Sequence, residues 1–336
     1  MKTNLYTFLL VIITHSIFAQ VSDFASIDFT KADNIAGVHK GASLENLPLL
    51  AHQLTHKLPT EVEKFRAIYL WVCQNIKGDN HQFTKVSRQR QKLQHDSVSF
   101  RRWNHEYKKV VFKKLLTRKK TMCTGYAYLI KELCYLANIN CVIVDGYGRS
   151  VESNVKELKI ANHSWNAVRL NNKWYLCDAT WSSGYLNEYN SFVKAYNDGY
   201  FLTEPNLFGK NHFPLEEKWL LTKSVTANNF VKAPLIYAEA FKNNVTPLEP
   251  QNMDILINKN DTVTFSFKSA NYLLDRNIEL VQYLGSEEKI LKIENIKNVN
   301  NIISIAHRFK NKGTYDTHLK INGDIVATYT IKVSKS

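Results

Sequence analysis

The chain has 336 residues, 44% hydrophobic and 22% charged, with only 12 Gly and 7 Pro. That composition excludes collagen-like, low-complexity and wholly disordered classes, and the length suits about two domains. Lys and Arg outnumber Asp and Glu by 44 to 30, a net +14, so nucleic acid, an anionic surface or an acidic substrate come first among partners to consider.

The first residues read as a secretory signal peptide over 1–19. Lys2 supplies a positive start, Leu5 to Ile13 is apolar apart from Tyr6 and Thr7, and Ser16-Ile17-Phe18-Ala19 offers a small residue for cleavage. The run is too short to span a bilayer, and no Cys follows the cleavage point to carry a lipid. The expectation is an exported protein, periplasmic or secreted, with no integral membrane segment in the mature chain. Five cysteines follow (Cys73, Cys123, Cys134, Cys141, Cys177), an odd number that leaves one thiol unpaired. There is no CxxC pair and no HExxH, nor any calcium or cofactor signature, so neither a metal nor a cofactor is expected.

Thr60 and Glu63 form a capping box, and Phe65, Ile68, Val72 and Ile76 recur at helical spacing, predicting a helix over 60–76. The next segment, 77–120, holds fourteen basic and three acidic residues, net +11, and so carries most of the excess charge. Its plain reading is a solvated, mobile loop. The alternative is a segment that borders the cleft, lowers a thiol pKa and selects anionic partners. A second helix is expected from Cys123, with Ala127, Ile130, Cys134 and Ala137 on one stripe and Asn138 as its stop. Cys141 to Val144 reads as a buried strand, and His163–Leu170 with Lys173–Asp178 as a hairpin about Asn171-Asn172. Residues 222–250 have little periodicity, and 229–250 is expected to be a linker. Six strand-like runs follow, Asn322-Gly323 turning between the last two, which predicts a β-sandwich over 251–336 after an α+β domain over 20–228.

In the hairpin register, residues facing each other sum to 343. Trp165 then opposes Asp178 and His163 opposes Thr180, which makes His163 and Asp178 diagonal neighbours on one face. A carboxylate there can hold the ring tautomer and leave the other nitrogen free as a base, although a lone strand His is commonly structural. Cys123 at a helix start, preceded by Arg118-Lys119-Lys120, is the candidate nucleophile, because the helix dipole and nearby cations favour the thiolate. Its backbone N–H is one candidate oxyanion donor; a second is not readable. Trp165 and Trp181 flank the site as cleft or core residues. Asn162-His163-Ser164 is a formal glycosylation acceptor, read as incidental because a glycan there would obstruct His163.

Three blocks resemble the core of the transglutaminase-like superfamily: Met122-Cys123-Thr124-Gly125-Tyr126-Ala127, Asn162-His163-Ser164-Trp165-Asn166-Ala167-Val168 and Trp174 through Trp181. Tyr69 to Ile76 and Tyr200 to Trp219 are similar to flanking segments of the branch that includes kyphoscoliosis peptidase and cytokinesis-protein-type domains. The resemblance covers about residues 40–222. It implies a papain-like α+β core followed here by an immunoglobulin-like sandwich, with Cys123 as nucleophile, His163 as general base and Asp178 as its orienter. It also implies acyl chemistry through a thioester, by hydrolysis or by transfer to an amine. Two positions depart from the family pattern: Thr121 replaces a common Gly, and Gly78 a common Tyr. The partners implied are peptide or protein substrates, cell-wall peptides among them, with an anionic partner at 77–120 and nucleic acid disfavoured. The alternative is a catalytically inactive scaffold that keeps the fold.

Overall fold

The structure, a computed structural model, describes residues 21–151, 153–269 and 278–335; the signal-peptide expectation for 1–19 lies outside them. Three helices come first: α1 (Thr30–Val38), α2 (Leu47–Thr55) and α3 (Glu61–Asn75). α3 begins at the expected capping box, Thr60 accepting from the Glu63 backbone while the Glu63 carboxylate accepts from Thr60. Its Phe65, Ile68 and Val72 are buried in one apolar cluster with Tyr126, Ile130 and Cys134. Those partners belong to α6 (Cys123–Leu136), which ends before Asn138 in the left-handed region.

Between α3 and α6 the basic segment is not a loop. A two-residue strand β1 (Lys77–Gly78) leads into helices α4 (Asn80–Lys92) and α5 (Ser97–Arg118), and the segment returns through β2 (Lys120–Thr121). Asp79 and Asp96 cap the two helices by accepting from the backbones of Gln82 and Ser99. Trp103, Tyr107, Val111 and Leu115 recur every four residues along α5, the apolar stripe that the density of Lys and Arg obscures in the sequence. Tyr107 and Val111 pack with Val86, Met122 and Cys123.

A four-stranded antiparallel sheet carries the other half of the core, in the order β5 (Lys173–Cys177), β4 (His163–Leu170), β3 (Asn140–Gly148), β8 (His212–Pro214). The β4–β5 register is the expected one, from Leu170–Lys173 to Asn166–Cys177, with Asn171 and Asn172 both at positive φ as a tight turn requires. The ladder stops at Cys177. Trp165 and His163 therefore have no paired partners on β5, because Asp178 turns the chain into α7 (Ala179–Ser183) and Thr180 lies in that helix. A short hairpin, β6 (Gly184–Leu186) and β7 (Phe192–Lys194), and helix α8 (Pro205–Phe208) follow.

The stretch expected as a linker, 229–250, is structured. It holds most of α9 (Ala227–Lys232), then β9 (Leu235–Ile236), α10 (Ala238–Lys242) and β10 (Val245–Glu249). β10 lies in a sheet with β12 (Thr262–Ser269), β16 (Ile302–Arg308) and β15 (Asn295–Val299). The second sheet orders β11 (Asp254–Asn258), β18 (Asp324–Ser334), β17 (Gly313–Ile321), β13 (Ile278–Leu284) and β14 (Glu287–Ile290), with β9 paired to β18. These two sheets form the C-terminal sandwich, whose buried Phe265, Ile305, Leu319 and Ile331 belong to one cluster with Trp165, Leu176 and Tyr200 of the first unit. Prolines at 234, 247 and 250 hide these short elements from a periodicity reading, since each interrupts the alternation that marks a strand.

Candidate active site

The site is assembled by four junctions between elements. β1 and β2 pair in parallel, Lys77 beside Lys120 and Gly78 beside Thr121, which pins both ends of the basic hairpin next to the nucleophile segment. Met122 is extended, and Cys123 is the first residue of α6, where backbone N–H groups lack intrahelical acceptors. On β4, Gly146 of β3 faces His163. The Asn162 side chain accepts from the Gly148 backbone N–H at 2.7 Å and donates to its carbonyl at 2.9 Å, fixing the entry to the strand. A β-carbon at 148 would lie 2.9 Å from the His163 β-carbon, so glycine there makes room for the imidazole. Asp178 caps α7, its Oδ1 accepting from the backbone N–H groups of Thr180 (2.8 Å) and Trp181 (3.3 Å).

These junctions bring the three sequence-predicted residues together. His163 Nε2 lies 2.7 Å from Asp178 Oδ2, and His163 and Cys123 line the same cleft, close enough for each to shift the other's proton affinity. The ladder thus ends short of the expected register, yet the predicted His–Asp contact forms through the Asp178 cap. All three side chains are buried. Burial pushes the Cys123 thiol up, but the hydrogen bond and charge of His163, with Arg90 and the Ser164 backbone, bring it below its ordinary value. Burial opposes a charged His163, but Asp178 and then Cys123 overcome this and raise it to about 10. Asp178 is held well below the usual carboxylate range: desolvation works against this, and His163 and His212 outweigh it. A thiolate–imidazolium pair oriented by a carboxylate follows from these directions.

His212, from the closing segment, is the residue the sequence reading left without a role. Its Nε2 sits 3.1 Å from the same Asp178 Oδ2, its Nδ1 lies 2.7 Å from the Asn211 side chain, and its ring stacks on Phe208 at 3.9 Å. His163, Asp178 and His212 bring their ligand atoms within 4.8 Å of one another, and among the described residues they are the group able to hold a metal ion. Their mutual hydrogen bonds use the same atoms.

Of the two tryptophans, Trp181 stacks against His163 at 4.7 Å and lines the cleft. Trp165 does not. It is 1% exposed within the core shared with the sandwich, because its ring packs among His163, Phe208 and His212 behind the cleft lining. The cleft has a volume of about 400 Å³. Phe83, Trp181, Tyr185 and Phe192 give it aromatic walls, and Ile236 to Glu239, just before the sandwich, close one side. From residues 77–120, Gly78, Asp79, Asn80 and Phe83 line it; the cationic side chains of α4 and α5 stay off the lining, although Arg90 of α4 is close enough to favour the Cys123 thiolate. Asp79 is buried and ion-paired to Lys114. Arg149 donates to the carbonyls of Phe230 (3.3 Å) and Pro234 (3.1 Å).

A Cys at a helix start, a His at the start of an inner strand and an Asp capping the helix after the next strand suit a transglutaminase-like core, and residues 49–179 match the family model described as the transglutaminase-like superfamily. The chain carries a domain of that superfamily, in the branch that includes kyphoscoliosis peptidase. It is 34% identical over 177 residues to kyphoscoliosis peptidase of Homo sapiens, covering 52% of this chain and 24% of that protein. It is 26% identical over 232 residues to hillarin of Drosophila melanogaster (64% and 26% covered). It is also 25% identical over 236 residues to the Lim and transglutaminase domain protein ltd-1 of Caenorhabditis elegans (66% and 28%). The chain thus spans about a quarter of the length of these relatives. No helix among the described residues is long and apolar enough to cross a membrane.

Proposed function

We propose that this protein performs cysteine-dependent acyl chemistry on peptide or protein substrates. The observation that carries the reading is the His163–Asp178 hydrogen bond, with His163 and Cys123 together lining an aromatic-walled cleft. The Cys123 thiolate attacks a carbonyl, and the His163 imidazolium gives its proton to the departing amine as the C–N bond breaks, leaving a thioester. Water, or a second amine, then gives a proton to His163 and attacks the thioester. The product acid or amide leaves as Cys123 is restored. The backbone N–H of Cys123, at the first position of α6, is the donor offered to the oxyanion as it develops.

A peptidase among the relatives supports the hydrolytic branch of this scheme. The signal-peptide reading of residues 1–19 supports export, and cell-wall peptides are then the substrates within reach. The engagement of His163 with Cys123 favours catalysis over an inert scaffold of the same fold. The outward cationic faces of α4 and α5 suit an anionic partner outside the cleft rather than an anionic substrate within it.

Iodoacetamide near neutral pH tests the reading. Cys123 is expected to react at least tenfold faster than the other four thiols, and Cys123→Ala to lose both that labelling and peptide turnover. Equal, slow labelling of all five cysteines sinks it.

A further inference from the structure

Asp178 serves two imidazoles, whereas a triad requires one. Its Oδ2 is 2.7 Å from His163 Nε2 and 3.1 Å from His212 Nε2, while its Oδ1 is taken by the backbone N–H groups of Thr180 and Trp181. At 3.1 Å from a carboxylate oxygen, the His212 contact is attractive only with the proton on Nε2. His212 Nδ1 lies 2.7 Å from Asn211 Oδ1, while Asn211 Nδ2 lies 3.4 Å from the Tyr200 hydroxyl. A neutral ring with its proton on Nε2 therefore requires the Asn211 amide turned over, its NH₂ facing Nδ1 and its oxygen accepting from Tyr200.

The groups packed against His212 are mostly apolar. Phe208 stacks on it, Trp165 and Trp181 meet it at 5.0 and 4.4 Å, and Tyr200 at 6.1 Å. The charged or titratable groups facing it are Asp178 and His163, with the Tyr200 hydroxyl and the Phe208 carbonyl besides. Burial favours the neutral ring; Asp178 and the Phe208 carbonyl favour the charged one, and His163 opposes it. Burial prevails and holds His212 down to about 4. With the Asn211 amide turned in this way, His212 at neutral pH is an uncharged donor to Asp178.

Resting on the reading of Cys123, His163 and Asp178 as the reactive set, we propose that His212 is a positioning residue that shares the Asp178 carboxylate with His163. It locks the carboxylate's orientation and, by taking part of its hydrogen-bonding capacity, tempers how strongly Asp178 holds a proton on His163. Such tempering has a catalytic use. A general acid tied too firmly to its proton gives it up slowly to the leaving amine, so a weaker Asp178–His163 bond brings His163 nearer the working pH. Thr180 and Trp181 also draw on the carboxylate, but through its other oxygen, whereas His212 shares Oδ2 itself with His163.

The test compares His212→Gln, whose amide reaches the Nε2 position, with His212→Asn, which fills only the Nδ1 side, and with the apolar His212→Phe. The titration midpoint of the His163 ring is read by NMR in each, and needs no turnover. In His212→Asn and His212→Phe it is expected to rise by about one pH unit, the order expected for losing one hydrogen bond to a charged group. His212→Gln should stay within about 0.3 of the parent protein. On a cleaved peptide, kcat is expected to fall about tenfold in the two donor-less variants with KM little changed, and the Gln variant to recover most of it. If His212→Phe does not fold, the Gln and Asn pair decides. An unchanged or lowered His163 midpoint in the Asn variant overturns the proposal, as does equal behaviour of Gln and Asn. Failure of Cys123 to label selectively in the parent protein would instead sink the catalytic reading, and the NMR midpoints remain a separate result.

Discussion

Gly78 lies against the ring of Phe192: a β-carbon at 78 would come within 2.5 Å of the Phe192 Cδ2. Both residues line the cleft, one from the base of the basic hairpin and one from β7. Where the family commonly has a tyrosine, this chain has no side chain, and an aromatic ring from elsewhere fills the space. Gly78→Ala should cost about 1–2 kcal/mol in chemical denaturation and lower turnover through the displaced ring. In Phe192→Ala the same glycine change should cost far less. A double-mutant cycle in urea measures the coupling, and additivity would remove the link between the two positions.

The second departure from the family pattern behaves similarly. A methyl group at Gly125 would overlap the side chain of Thr121, which is fully buried and held by the β1–β2 pairing. Gly125→Ala is expected to destabilise by about 1–3 kcal/mol, although alanine favours a helix, because a buried threonine beside paired backbone has little room to move. Thr121→Gly combined with Gly125→Ala should recover most of that loss. Thermal melts of the three proteins check it.

Lys114 reaches from α5 to the buried carboxylate of Asp79, which also caps α4, so one ion pair joins both helices of the hairpin beside Cys123. Lys114→Met leaves a buried carboxylate without its cation and should cost about 3 kcal/mol, more than Asp79→Asn combined with Lys114→Met. Because Tyr107 and Val111 pack with Met122 and Cys123, the single variant should also speed proteolysis within 77–120 and broaden the reactivity of Cys123. Limited trypsin digestion, with peptides mapped by mass, reads the first effect.

The triad leaves a signature in stability against pH. His163 is raised from its ordinary value of about 6.5 to about 10, so the folded chain keeps a proton that the unfolded chain releases between those values. Its contribution is present in full below about pH 6.5 and fades as pH rises toward 10. Asp178 and His212 act on the acid side. Stability from the depressed Asp178 is lost as pH falls below the ordinary carboxylate range, and the buried neutral His212 opposes the protonation that the unfolded chain undergoes below about 6.5. In a Cys123→Ala background, which removes the thiol's own titration, the unfolding free energy with His163 minus that with His163→Gln should therefore shrink from about pH 6.5 to about 10 in guanidinium titrations. A difference independent of pH over that window would contradict a His163 imidazolium held by Asp178.

Much of the first unit was legible in the residues alone. The capping box at Thr60 and Glu63, the helix from Cys123, the Asn171-Asn172 turn and the β4–β5 register are local patterns, and each is found where its pattern places it. Cys123, His163 and Asp178 were reachable because a period of two along a hairpin and a helix start are statements about short stretches of chain. The +11 of residues 77–120 was visible as charge but not as structure, since Lys and Arg fill the outer faces of α4 and α5 and mask the stripe of Trp103, Tyr107, Val111 and Leu115. What tertiary packing alone decided is where long-range partners meet. It buried Trp165 and kept the hairpin's cations off the cleft lining while leaving Arg90 near enough to act on Cys123. It drew the 229–250 stretch into the cleft wall and the sandwich, and set His212 on the Asp178 carboxylate 34 residues away. Local periodicity fixes which face a side chain takes within its own element, but the partner of that face comes from distant segments and is chosen by burial and hydrogen-bond satisfaction over the whole fold.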